Sequence, residues 1–318
     1  MQRLLAGGLT LSLLGLGLPV YAELAYVPNA GSGTISVIDT ATDEVVRTLA
    51  GEGSLGKKLE GAAVSADGTR VLVVDAPADT VLAVDAQSGK LIKSIPAGKS
   101  PEGIQISADG RTAAACAEDS NEAVLIDVQR LEPVKAIALQ GRNPEHCVFS
   151  PDGRWLLVSN ENSDNVDVID LAQRKSVALI AGDGHPRGMA ITPDGRFAYI
   201  ANEGTASVQV VSMGDWKVVK QIATGLRSAG ALASPDGSRV YIANGGAGTV
   251  SVIDTRSNEV VATVPVGQRP WNMAITHDGA KLYVANGRSN SVSVIDTANN
   301  RVTRTIEVGK LPWGVAIR

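Results

Sequence analysis

The chain has little of what reactive or metal-bound proteins rely on. Its 318 residues include two cysteines and three histidines. There is no C-x-x-C-H run, so it is not a c-type cytochrome. There is no H-E-x-x-H pair and no G-x-S-x-G elbow, so neither common hydrolase signature is present. Basic residues are not in excess: 29 Lys and Arg stand against 33 Asp and Glu, for a net charge of -4. That balance argues for solubility and against nucleic-acid binding. Beyond residue 18 no apolar run approaches the length of a membrane span. Long linkers, charge blocks and low-complexity runs are absent as well, so one domain accounts for the chain.

What is present is a repeat, written most clearly at 270–309 as PWNMAITHDGAKLYVANGRSNSVSVIDTANNRVTRTIEVG. Four short apolar runs alternate with turns: 273–276, 281–286, 291–296 and 302–308. Runs of this length, rich in Val, Ile and Tyr and broken at Asp-Gly and other Gly-rich points, predict an antiparallel meander. The Asp-Gly turn recurs at Asp67, Asp109, Asp152, Asp194, Asp236 and Asp278, in steps of 42 or 43 residues. A second series, the acidic end of the third strand, runs Asp39, Asp85, Asp127, Asp170, Ser212, Asp254 and Asp296. A third is the proline that opens each unit: Pro101, Pro144, Pro186, Pro270 and Pro312, with Leu59 and Ser228 at the substituted places.

Seven four-stranded units of this period predict an all-β fold, a seven-bladed β-propeller of four-stranded antiparallel blades. The first unit lacks its first strand, and the chain ends in GVAIR at 314–318, which has that strand's sequence. The C-terminal strand is therefore expected to complete the first blade and close the ring, removing sheet edges. In 249–254 both parities are apolar, as expected of a sheet covered on both faces.

Residues 1–22 have the pattern of a signal peptide: Arg3, an apolar core from Leu4 to Leu18, and the A-x-A-like Val20-Tyr21-Ala22. The propeller is then expected over 23–318, exported to the periplasm or secreted, with no membrane span after cleavage.

Several motifs reduce to architecture. Residues 51–56 satisfy G-x-G-x-x-G, but a first strand follows where a phosphate loop needs a helix. The stretch reads as an insertion in a blade-to-blade loop. The Asp39 series caps turns by accepting backbone N–H groups two residues on. Cys116 and Cys147 fall near the same end of the ring. An oxidising compartment permits a bond, but two separate buried thiols is the reading adopted.

The second strands end in YVPN at 26–29, YIAN at 199–202 and 241–244, and YVAN at 283–286. With SPDG at 150–153 and 234–237, and VSVIDT at 250–255 and 292–297, these residues resemble the YVTN family of β-propeller repeats over about residues 24–318. Two blades depart from the pattern, with LVVD at 72–75 and AACA at 114–117. The length, leader and closing strand also resemble the periplasmic propellers associated with pyrroloquinoline-quinone-dependent alcohol catabolism. That resemblance implies a non-enzymatic binding or accessory role, with a periplasmic quinoprotein dehydrogenase or a small ligand as partner, no bound cofactor and a monomeric state. The alternative is a propeller lactonase acting at the channel mouth, with Glu102, Glu145, His146, His185 and Arg187 as candidates.

The residue after each opening proline reads Glu60, Glu102, Glu145, Arg187, Ala229, Trp271 and Trp313 around the ring. Before the proline lie Lys58, Lys99, Arg142, His185, Arg227, Arg269 and Lys310. These positions are expected to surround one mouth of the central channel. Glu60, Glu102, Glu145, His146, His185, Arg187, Arg269, Trp271 and Trp313 are the candidate ligand-binding set. The competing reading is a solvated rim where Lys and Glu pair loosely, with Lys99 and Arg142 neutralising the carboxylates. His146 and His185, on adjacent blades at the rim, could hold a metal with a carboxylate, but sequence does not set their separation and no metal is assigned.

Overall fold

A computed structural model describes residues 23–318; the leader expected over 1–22 lies outside the described residues. No helix among them is long and apolar enough to cross a membrane. Seven four-stranded antiparallel sheets form seven blades. Blade 1 holds 24–49 plus the C-terminal strand, and blades 2 to 7 span 59–96, 101–138, 144–181, 186–223, 228–265 and 270–307. The expected meander is the observed one. In blade 7 the strands are Pro270–Ile275, Lys281–Asn286, Ser291–Asp296 and Arg301–Glu307. The first begins earlier than its apolar run because Pro270 already pairs with Asn286 ahead of an irregularity in register.

The second and third strands of each blade are buried on both faces, as Val240, Tyr241, Ile242 and Ala243 illustrate. The outermost strands keep one buried anchor each, such as Ile95, Ile137, Ile180 and Ile222. The apolar core thus lies between neighbouring blades rather than at the centre of the ring.

Local chemistry fixes the turns. In the hairpin at 150–155, Asp152 accepts the Ser150 hydroxyl at 2.5 Å and the Arg154 N–H at 3.0 Å, and Ser150 Oγ accepts the Trp155 N–H. Gly153 completes the turn at φ 70°, where a side chain would be strained. The Asp39 series behaves as expected; Asp39 accepts the Ala41 N–H at 2.8 Å.

The asparagine that ends the second strand is an internal pin. Asn244 Nδ2 donates to Thr249 Oγ1 and Ser251 Oγ, and its Oδ1 accepts the Gly225 N–H at 3.1 Å. A Cβ on Gly225 would stand 2.7 Å from that side chain, so the glycine three residues before Ser228, the blade's opening position, is dictated by the asparagine. In blade 2 Asp75 takes over, accepting the Lys57 and Lys58 N–H groups at 3.0 Å.

Ring closure follows the expected route. Tyr26 pairs with Ala316 and Ala25 with Ile317, Leu24 and Arg318 exchange backbone hydrogen bonds, and the Trp313 N–H donates to Pro28 O. At the other end of the ring, Lys281 Nζ and the Tyr283 hydroxyl of blade 7 both reach Asp43 of blade 1. The insertion at 50–58 folds back on the Gly33 hairpin, with the Leu55 N–H donating to Gly33 O at 2.8 Å, and leads into strand Leu59–Val64.

Candidate functional site

Two positions per blade build the channel mouth. One follows the opening proline of the innermost strand. The other follows the end of the second strand, which is hydrogen-bonded beside it; the Glu118, Glu161 and Glu203 N–H groups donate to Ser100, Asn143 and His185. From blade 1 to blade 7 the pairs read Trp313/Ala30, Glu60/Ala76, Glu102/Glu118, Glu145/Glu161, Arg187/Glu203, Ala229/Gly245 and Trp271/Gly287. Gly287 leaves room for an indole, since a Cβ there would stand 2.8 Å from the Trp271 ring.

A cavity of about 530 Å³ lies over the channel. It is lined by Glu60, Glu102, His146, Arg187, Arg269, Trp271 and Trp313, together with Lys58, Asn272 and Leu311. Of the predicted residues, those seven converge, and Glu145 lies directly behind them against Arg187. His185 does not join them. Its side chain is 54% exposed, with Nδ1 3.6 Å from Glu161 Oε1. His146 instead stacks on Trp313 across 5.5 Å, so the two histidines share no metal site.

Nor is the mouth a loosely paired rim. Lys58 meets Glu60 at 2.6 Å; the cation that meets the other carboxylates is Arg187, not Lys99 or Arg142. Its side chain is 15% exposed and lies within 4.0 Å of Glu102, Glu145, Glu161 and Glu203. Glu203 also meets Arg227 and Arg269, but Glu102 and Glu145 share the Arg187 guanidinium in a buried place, so protons are retained there. Burial, then the neighbouring Glu102, pushes the Glu145 carboxyl up to about 11, against the pull of Arg187. Burial likewise raises Glu102 well above the usual carboxylate range, and the Glu118 carboxyl hydrogen-bonded to it adds to the rise. Glu102 and Glu145, on neighbouring blades, are thus carboxyls that hold protons. Glu203 behaves oppositely. Burial works to raise it, but Arg187 and Arg269 outweigh burial and leave it below its ordinary value.

His146 takes a position that is glycine in five blades. Glycine is required there because the blades meet closely; a Cβ on Gly103 would stand 2.5 Å from Glu145 O. From blade 4 the imidazole reaches over the channel to Asn272 of blade 7, Nε2 to Nδ2 at 3.3 Å. Burial, then Arg187, holds the imidazole down to about 3, so it is neutral. With the Asn272 amide donating to Nε2, the proton sits on Nδ1, 3.9 Å from Glu145 Oε2. His146, Asn272 and Trp313 also roof a second void of about 390 Å³ in the channel below.

Glu118, Glu161 and Glu203 were absent from the sequence-predicted set. The signal was available, because the residue after each second strand reads Ala, Ala, Glu, Glu, Glu, Gly, Gly around the ring, with the carboxylates on consecutive blades.

In chemical terms the site offers two indole planes, a neutral imidazole, protonated carboxyls that donate hydrogen bonds, and the Arg187 and Arg269 guanidiniums. No Ser, Thr or Cys lines the cavity, so hydrolysis there would rest on an activated water.

Residues 184–317 match the model of the YNCE-like β-propeller family, and residues 96–175 match that of the seven-bladed β-propeller lactonases. No curated protein matches the chain. Among solved structures, Kuenenia stuttgartiensis hydrazine synthase is similar at 26% identity and TM-score 0.78, covering 86% of this chain and 92% of that one. A putative 6-phosphogluconolactonase from Bacteroides uniformis is similar at 21% identity and TM-score 0.77, covering 93% of this chain and 100% of that one. Another from Bacteroides fragilis has 18% identity and TM-score 0.76, covering 95% and 99%. The two Bacteroides likenesses establish the propeller and nothing about its chemistry.

Proposed function

We propose that this propeller is a non-enzymatic binding protein that holds a small hydroxylated molecule, of the sugar or polyol kind, in the cavity over its channel. The observation that carries the reading is the pairing of two indole planes, Trp271 and Trp313, with proton-holding carboxyls opposite them. Indole faces pack against C–H surfaces, while carboxyl groups and guanidiniums hydrogen-bond hydroxyls. Orientation comes from few polar groups in a largely preformed cleft, as in other small-molecule sites. On the YVTN resemblance and the leader pattern of residues 1–22, we place the protein in the periplasm beside a quinoprotein dehydrogenase, as an accessory to alcohol oxidation.

A second reading, lactone hydrolysis, is favoured by one observation. The lactonase match at 96–175 covers the two blades that carry Glu102, Glu118, Glu145, His146 and Glu161. In that reaction water would add to the lactone carbonyl, the ring C–O bond would break, and the released oxygen would take up the proton given by water. Arg187 would polarise the carbonyl. The test is indole fluorescence and turnover measured on one panel of sugars, polyols and sugar lactones. Binding without turnover supports the binding reading. Turnover that vanishes in a Glu145→Gln, His146→Ala double variant establishes the lactonase. Neither binding nor turnover across the panel overturns both.

A further inference from the structure

The acids around the mouth are segregated, while cations, Lys57, Lys58, Lys99 and Arg142 among them, also stand on the loops of blades 2 to 4. The loops of blades 6, 7 and 1 on this face, at 224–227, 245–248, 266–269, 287–290 and 308–311, contain Arg227, Arg269, Arg288 and Lys310 and no acidic residue. The nearest acid in sequence, Glu307, ends an outermost strand. The corresponding hairpins and loops of blades 2 to 5 hold Asp79, Asp119, Asp164 and Asp183 besides the site glutamates. A chain of net charge -4 thus presents a basic sector on one half of one face. Arg227 and Arg269 share a single carboxylate oxygen, Glu203 Oε1, at 2.8 and 3.2 Å. Arg288 and Lys310 are exposed and belong to no ion pair among the described residues.

Apolar groups are interleaved with these cations. Leu226 is 66% exposed and Leu311 41%. Between the hairpins of blades 6 and 7 runs a groove of about 740 Å³, lined by Leu226, Arg227, Ala247, Val266, Arg269 and Arg288. Its floor is open because the hairpin is Gly245-Gly246-Ala247-Gly248.

We propose that this sector docks an acidic polypeptide segment of a partner protein, with apolar residues between its carboxylates. A small anion is held by buried groups that converge on one point. Here Arg227, Arg288 and Lys310 are exposed, stand on loops of three successive blades and have Leu226 and Leu311 beside them. That spacing fits an extended chain, and unpaired rim cations steer an oppositely charged partner to the face. Arg269 and Leu311 also border the cavity, but Arg288 and Lys310 do not, so reversing those two charges tests the docking sector separately from the small-molecule reading.

The test uses the full chain and a short synthetic peptide alternating glutamate and leucine, with a glutamine–leucine peptide, gluconate and inorganic phosphate as comparisons. The acidic peptide should bind and the neutral one should not. Arg288→Glu with Lys310→Glu should weaken binding about tenfold or more, since exposed charges act chiefly by complementarity. Arg256→Glu, an exposed change in a hairpin at the opposite end of the strands, should leave binding unchanged. Raising the ionic strength so that the Debye length falls from about 30 to about 8 Å should weaken it further. No peptide binding, binding indifferent to the double charge reversal, or full displacement of the peptide by phosphate or gluconate would each overturn the proposal.

Discussion

His146 and Asn272 meet over the central channel, imidazole Nε2 to amide Nδ2 at 3.3 Å, one from blade 4 and the other from blade 7. Both occupy positions where most blades have glycine, so each is a side chain placed where the ring leaves least room. Burial, then Arg187, keeps the imidazole neutral. The sign of its pH effect follows. The unfolded pKa is near 6.5 and the folded one about 3, so the unfolded state takes up the proton first. This contribution to stability is complete above pH ~6.5 and is lost as pH falls toward about 3. Denaturant unfolding across that range should show a smaller acid-side loss in His146→Gln than in the parent. Nitrogen NMR of the parent should show the imidazole still neutral at pH ~5, well below the ordinary value.

Arg187 should be the residue whose loss is least tolerated. It lies against four carboxylates at once. Arg187→Met keeps the stem but removes the cation shared by Glu102 and Glu145 and one partner of the ionised Glu203, and should destabilise by about 3–5 kcal/mol in urea unfolding. Glu145→Gln should behave in the opposite way. The folded carboxyl is pushed up to about 11, so it already carries its proton at neutral pH. A raised carboxyl contributes stability below its unfolded pKa of about 4.3, and loses it as pH rises toward the folded value. The amide mimics the protonated form, so Glu145→Gln should match the parent near pH ~4 and exceed it near pH ~8.

The fold was legible because its signal is repeated: three series of residues in phase, Asp109, Asp127 and Pro101 in one blade and their equivalents elsewhere, specify strand, turn and register together. Even the missing strand was readable, since GVAIR has no other place to pair. The site was legible only as a circle of positions. Sequence placed Lys99, Arg142, His185 and Arg187 alike near the mouth, and could not show that Arg187 turns inward against four acids while His185 points out. His185 sits in the left-handed region at φ 56°, in the turn that precedes its proline. The glutamates at 118, 161 and 203 fell in hairpins read only as turns. Burial, which decides that Glu102 and Glu145 hold protons, depends on the packing of seven blades and appears in no local pattern.

The two thiols should be inert in the native protein. Cys116 and Cys147 are buried, unbonded to each other, and packed in one apolar cluster with Phe149, Leu156 and Ile169. Cys147 Sγ donates to Ala114 O at 3.2 Å. Burial raises the Cys116 thiol well above its ordinary value, which suppresses the reactive thiolate. A maleimide or disulfide reagent should label neither residue in buffer and both in denaturant.

The strongest test of the architecture is removal of residues 313–318. Deletion takes away the innermost strand of blade 1, and with it the backbone partners of Leu24, Ala25, Tyr26 and Pro28. It also removes Trp313, which stacks on His146, and Val315 and Ile317, which pack against Ala25, Val27 and Tyr283. Each loss falls on the seam where the ring closes. The Asp43 contacts with Lys281 and Tyr283 would remain at the other end of that seam, so blades 7 and 1 would be held at one end only. An open ring also exposes a strand edge, with donors and acceptors that water must satisfy. The truncated chain should therefore melt well below the parent and aggregate on heating. Scanning calorimetry decides: melting within a degree or two of the parent would show that the closing strand is dispensable.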